Sequence, residues 1–459
     1  MRARLAATAL AALLALPAAA ESLSDALVQA YRSSPSLEQQ RYLLRATDED
    51  VAVAVSALRP TVSFQADFSK ALNFQNLRNR VTSTNGALSL VLDYTLLDGG
   101  QRALRLSAAK EAVLAARYRL VQFEQSVLLD AITAYLDLRL AALTVDVRES
   151  NLRLINQQLS AARDRFEVGE VTRTDVALAQ SRLATAESLL AAARGAVDVQ
   201  REAYRRTIGR FPVGALSAPP SLPELPATVE RAQQLALQIH PLISAGQHDV
   251  TAFVLLADAR AADRLPTIGL RGSVARNRPA IDNTQVGVTG SVPIYTGGRL
   301  SALQRQAAAQ ANATRSQLGQ TSREIVDGVG QSWASLEVAR AQILATREGV
   351  RAAELAFEGF REEAQLGART TLDVLDAEQE LLTARTTLLQ AESDAQFAVY
   401  AVLASIGLLT TEHLGLSVER YDVTDYYNAV SNAPRSPIGT QPSAQGSRLD
   451  SVLQRFGRN

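Results

Sequence analysis

The 459-residue sequence contains no cysteine. Disulfides, thiolate metal sites, cysteine nucleophiles and a lipidated N-terminal cysteine are therefore all excluded. Lysine is almost as scarce, occurring only at Lys70 and Lys110, so nearly every cation is an arginine. Neither sign of charge prevails: 47 basic residues balance 47 acidic ones, which argues against nucleic acid as a partner. Beyond the N-terminus no apolar run approaches the ~20 residues of a transmembrane helix. The three histidines, His240, His248 and His413, lack metal-ligand spacing. No HExxH, GxSxG, phosphate loop or dinucleotide fingerprint occurs either. The sequence predicts no enzyme, no cofactor and no metal site.

What is present begins with an export signal over residues 1–20. Arg2 and Arg4 give it a positive start, Ala6 to Leu16 a short apolar run, and Ala18-Ala19-Ala20 a small-residue cleavage site. The mature chain is expected to begin near Glu21. An exported chain without a helical or lipid anchor must be held at a membrane, if at all, by other means.

A repeat organises the rest. Gly99-Gly100 is answered by Gly297-Gly298, 198 positions later, and the same offset relates Gly169 to Gly367, Thr172 to Thr370, Asp175 to Asp373 and Ile208-Gly209 to Ile406-Gly407. An offset constant over more than a hundred residues is a property of rigid, packed helices; loops tolerate insertions. Upstream the offset is 206, relating Pro35 to Pro241 and Pro60-Thr61 to Pro266-Thr267. The first half thus holds eight extra residues between Thr61 and Gly99, expected in a loop from Lys70 to Gly86 whose shorter counterpart is Asn277 to Thr284. The divisions predicted are a first repeat over 21–209, a Pro-rich linker over 210–228, a second repeat over 229–409, a further segment over 410–430 and a flexible tail over 431–459. Within that tail, Leu449 to Phe456 reads as a short amphipathic end.

Each repeat reads helix, strand pair, long helix, second helix. Gln101 to Phe166 contains no proline or glycine and carries apolar residues at three- and four-residue spacing. At ~1.5 Å per residue it forms a helix of ~100 Å. The helices that follow share one seam: Ala179, Leu183, Ala186, Leu190 and Ala193 in the first half match Ala377, Leu381, Ala384, Leu388 and Ala391 in the second. Alternating four- and three-residue spacing is a coiled-coil seam, and its alanines let neighbouring helices approach closely. Gly169 and Gly367 fall where a C-terminal glycine cap would break the chain into a hairpin with a tight tip.

The strands expected are Val62 to Phe68, Leu88 to Leu96, Ile268 to Val274 and Val286 to Ile294. In the first, Val62, Phe64, Ala66 and Phe68 alternate with Ser63, Gln65 and Asp67, giving one apolar face. A small sheet packed on a helix and part of a membrane barrel both fit that pattern. Four strands cannot close a membrane barrel, and open edges cannot sit in lipid. If they span a membrane, several chains contribute, and a trimer giving twelve strands is the natural small solution.

The second tip is acidic. Asp373 and Asp376 lie three residues apart in a first helical turn, where carboxylates oppose the helix dipole favourably. Asp175 matches Asp373, but Leu178 stands opposite Asp376, and Val171 opposite Arg369. Six carboxylates from three copies would favour cations at a constriction.

The tip segments FEVGEVTRTDVALAQ and LGARTTLDVLDAEQELLTAR, with LLDGG and IYTGG after the strands, resemble the TolC-like outer-membrane efflux protein family, over about Ser22 to Leu409. The resemblance implies a mainly α fold with a membrane β-barrel. Tandem coiled-coil hairpins would form an α-barrel, and four strands per chain would build a trimeric twelve-stranded barrel. It implies a homotrimeric exit duct for efflux or type I secretion, set in outer-membrane lipid and served by a periplasmic adaptor and an inner-membrane pump. It places Asp373 and Asp376 at the pore constriction. Arg369 becomes a gate latch with Thr174 and Asp175 of the neighbouring hairpin, and Val168-Gly169 and Leu366-Gly367 become adaptor-docking tips. One departure is Ala364, which stands where members of the family typically place a latch tyrosine. A periplasmic coiled-coil adaptor or a helical scaffold without channel activity would also account for the hairpins.

Overall fold

Ser22 opens the first helix because its side chain accepts from the Asp25 N–H while Asp25 reaches back to the Ser22 N–H, a capping box. The computed structural model describes residues 20–76, 79–219, 222–278 and 281–434. Residues 1–19 of the expected export signal and most of the expected tail, including Leu449 to Phe456, lie outside them. The order is α1 (Leu23–Ser33), α2 (Pro35–Ser56), β1 (Thr61–Asn76), β2 (Asn79–Leu97), α3 (Gln101–Glu167) and α4 (Arg173–Ile208). It continues with α5 (Val229–Ile239), α6 (Pro241–Ala262), β3 (Thr267–Arg278), β4 (Ile281–Ser291), α7 (Arg299–Gln365), α8 (Thr371–Ile406) and α9 (Asp425–Val430). Element lengths match across the halves: α3 and α7 each have 67 residues, α4 and α8 each have 36. Among the described residues no helix is long and apolar enough to cross a membrane.

The chain divides into two compact units, each drawing corresponding segments from both halves. The first comprises, among the described residues, 20–38, 121–240 and 323–420. Its core gathers Leu27 and Ala30 of α1, Leu128, Ile132 and Tyr135 of α3, Tyr204 and Ile208 of α4, and Leu403 of α8. Gly209 closes α4 in the left-handed region at φ 91°, where a Cβ would also stand 2.5 Å from Ser33 Oγ. Glu21 is buried here. Its carboxylate accepts from Tyr204 Oη at 2.9 Å, Arg210 Nη2 at 2.6 Å and the Val213 N–H at 2.7 Å, fastening the chain before α1 to the segment after α4.

The second unit comprises, among the described residues, 39–120, 241–322 and 421–434. It holds an antiparallel sheet in the order β1-β2-β3-β4. Across the register Phe64, Leu90 and Val274 line up, as do Val62, Leu92 and Val286 after an intervening glycine, Gly272. That face is apolar and exposed at Val62, Phe64, Phe68, Leu88, Leu90, Val274, Val286 and Val288. The other face carries Ser63, Gln65 and Ser89, with Asp93 and Arg271 3.6 Å apart.

The strands depart from expectation at both ends. The expected loop from Lys70 to Gly86 is a two-stranded ribbon: β1 and β2 pair on to Asn76 and Asn79, whereas β3 joins β2 only from Gly86 onward. Its Asn- and Arg-rich composition reads as loop, yet Val81, Thr82 and Thr84 favour extended backbone. The shorter Asn277 to Thr284 is likewise largely strand, as the ends of β3 and β4. Conversely β4 stops at Ser291, not Ile294, because Pro293 has no N–H to give the ladder.

Candidate functional site

The tips that join the long helices are built twice from one set of local interactions. At the end of α3 the Gly169 N–H donates to Phe166 O at 3.0 Å and the Glu170 N–H to Arg165 O at 2.9 Å. At the end of α7 the Gly367 N–H donates to Ala364 O at 3.2 Å and the Ala368 N–H to Glu363 O at 2.9 Å. This is the Schellman pattern, and it needs the left-handed φ that Gly169 and Gly367 supply at 81° and 78°. Each following helix then starts with a capping box. The Asp175 carboxylate accepts from the Thr172 N–H at 2.8 Å, and the Asp373 carboxylate from the Thr370 N–H at 2.9 Å. Five residues between the end of one helix and the start of the next reverse the chain and leave Val168 and Leu366 71% and 85% exposed at the apex.

Asp373 and Asp376 therefore have different work within the chain. Asp373 is the third residue of its capping box. Hydrogen bonds from the Thr370 backbone and hydroxyl, with a smaller pull from Arg369, hold its carboxyl below the usual carboxylate range. Asp376 is not part of the cap. Its Oδ1 accepts from Arg182 Nη2 of α4 at 2.6 Å, so a second-half carboxylate is paired with a first-half cation. Arg369 pairs with Glu363 at 2.8 Å, and its guanidinium lies 4.5 Å from the Phe360 ring centroid. Within one chain Arg369 is not bonded to Thr174 or Asp175. Thr174 is exposed, and Asp175 serves its own cap.

Beneath the tips α8 is gripped from two sides. Leu375 packs with Leu159, Ala162 and Ala179 of the first hairpin, while Val374, Ala377 and Leu381 pack with Phe357 of α7. Ala364 and Phe360 border that second cluster. One turn further on, Asn151 Nδ2 of α3 donates to the buried Glu378 Oε1 of α8 at 2.6 Å. Sequence reading missed Arg182, Asn151, Glu363 and Glu378. The one available signal lies in the repeat itself, where Glu378 stands opposite a neutral Gln180.

The profile of the outer membrane efflux protein family matches residues 26–210 and 232–408. The chain is 37% identical to the outer membrane efflux protein BepC of Brucella suis over 424 residues, covering 90% of this chain and 91% of BepC. It is 25% identical to the outer membrane protein TolC of Escherichia coli over 446 residues, covering 92% and 87% of the two chains. The fold superposes on the outer membrane protein VceC of Vibrio cholerae with a TM-score of 0.72 at 21% identity, covering 84% of this chain and 96% of that one. All three relatives are named as outer membrane proteins, BepC as an efflux protein. With capped double hairpins, a four-stranded sheet bearing one apolar face, and a family profile spanning both repeats, the chain belongs to the outer membrane efflux protein family.

Proposed function

We propose that three copies of this chain form a gated exit duct, serving an inner-membrane pump and its periplasmic adaptor in efflux or type I secretion. The sheet carries this reading. Among the described residues its outer strands β1 and β4 each have one unpaired edge, and its apolar face is uncovered. Unpaired backbone groups cost several kcal/mol each in hydrocarbon, and membrane barrels need about eight strands or more. Other copies must supply the missing strands, and three copies give twelve. The long helices, at ~1.5 Å per residue, reach ~100 Å and supply the walls of a tunnel in this reading. Conduction is passive; the pump supplies the energy and selects the substrate. Family membership and the membrane-suited sheet leave no observation in favour of an adaptor or a scaffold.

The tips are the gate in this reading. Asp373 and Asp376 surround the constriction, and Arg369 reaches Thr174 and Asp175 of the next chain when the tube is closed. The exposed apices at Val168-Gly169 and Leu366-Gly367 receive the adaptor, whose differential contacts favour the open state. Glu363 competes for Arg369 from within the chain, so opening has a ready alternative partner for that cation.

Single-channel recording in planar bilayers tests this directly. The wild-type protein should give a small, cation-selective conductance that grows in Arg369→Ala. A wild type already wide open would keep the duct and remove the latch, and no channel at all would overturn the reading.

A further inference from the structure

α8 carries a carboxyl group where its packing favours an apolar side chain. Glu378 is 3% exposed, next to Ala377 of the seam. Its Oε1 accepts one hydrogen bond, from the 8%-exposed Asn151 of α3, while its buried Oε2 has no hydrogen-bond partner among the described residues. That bond runs from the first hairpin to the second, across the contact along which the hairpins would separate. One amide donor compensates a buried carboxylate poorly, since an ion removed from water needs several donors or a countercharge.

The surroundings do not supply that charge. The side chains around the adjoining cavity of about 10 Å³ include one cation, Arg182 of α4, and Asp376 of α8 already engages it. α3 presents the neutral Asn151 and Ile155. α7 packs Ala353 and Phe357 against this stretch of α8, and its Glu354 is paired with Arg385. Burial pushes the Glu378 carboxyl up to about 7, opposed by the bond from Asn151.

We propose that Asn151 and Glu378 form a proton-linked strut between the two hairpins, closed while Glu378 holds a proton and released when the tip opens to water. The proposal rests on the gated-tip reading above. In the packed state the carboxyl titrates near neutrality; once hydrated it returns towards its ordinary value of 4.5. Closing therefore takes up a proton between those values. The strut's contribution is fully present below the hydrated value and is lost as pH rises through about 7. Alkaline conditions favour the open tip. The first half has Gln180 at the matching position, so its helix has no such group.

The test pairs two readouts on the full-length protein and on Glu378→Gln, which keeps the side-chain volume and the acceptor for Asn151. In planar bilayers, wild-type open occupancy should rise about tenfold or more between about pH 5 and about pH 8, one pKa unit being a tenfold change. The glutamine variant should remain closed and flat across that window. Amide hydrogen exchange over 371–382, corrected for intrinsic base catalysis, should show protection falling with pH in the wild type alone. Equal pH slopes in wild type and variant overturn the strut. Exchange that follows pH only in the wild type, with conductance unmoved, keeps the strut and overturns the gate reading instead.

Discussion

At the scale of single residues, the two tips show how a side chain suited to a pore can first be needed by its own helix. Asp373 accepts from both the backbone and the hydroxyl of Thr370, and this holds its carboxyl below the usual range. A carboxyl lowered on folding stabilises above its unfolded value of 3.8, and that contribution disappears as pH falls through the folded value. Thr370→Ala should remove about 1 kcal/mol of cap stability and let the Asp373 carboxyl rise. The measurement is amide exchange at 371–376 with an NMR titration of the carboxyl; unchanged protection would show that packing alone starts α8. Capping was partly legible in the sequence, through the first-turn position of Asp175 and Asp373. The pairings of Arg182 with Asp376 and Asn151 with Glu378 were not, because their partners lie 194 and 227 positions apart.

At the scale of elements, legibility followed periodicity. The helices were readable because a 67-residue run without proline or glycine repeats its apolar spacing many times. The strands were readable only where apolar and polar residues alternate cleanly, so the polar ribbon beyond Phe68 and Gly86 read as loop. Which side of α8 faces what was not readable, since apolar side chains lie all round its first turns. The structure separates them: Leu375 is 3% exposed between the hairpins, while Leu372, one turn earlier, is 39% exposed. Leu375→Ala should therefore cost roughly 2–5 kcal/mol and Leu372→Ala well under half of that. Thermal unfolding in detergent checks the pair, and equal losses would mean that the exposed face of α8 is covered in the assembled protein.

At the scale of the whole molecule, membrane placement depends on which sheet face a residue occupies. Val288 and Thr289 are neighbours in β4 on opposite faces. Arginine on the lipid side of a barrel costs roughly 2–4 kcal/mol near mid-membrane, whereas a lumen-side arginine is tolerated. Val288→Arg should thus lower the yield of assembled protein in the outer membrane, and Thr289→Arg should not. Fractionation with a heat-modifiability gel distinguishes them, and equal yields would mean that the apolar face is not the lipid face.

The matched helix lengths restrict how such a protein can evolve. An insertion in α3 alone would displace one glycine turn from its twin and move Leu159 and Ala162 off Leu375. Keeping the tips level would require simultaneous additions to α3, α4, α7 and α8. Single substitutions face no such coordination. A lineage built on this plan can therefore change the lining of its passage one mutation at a time, while its reach stays nearly fixed.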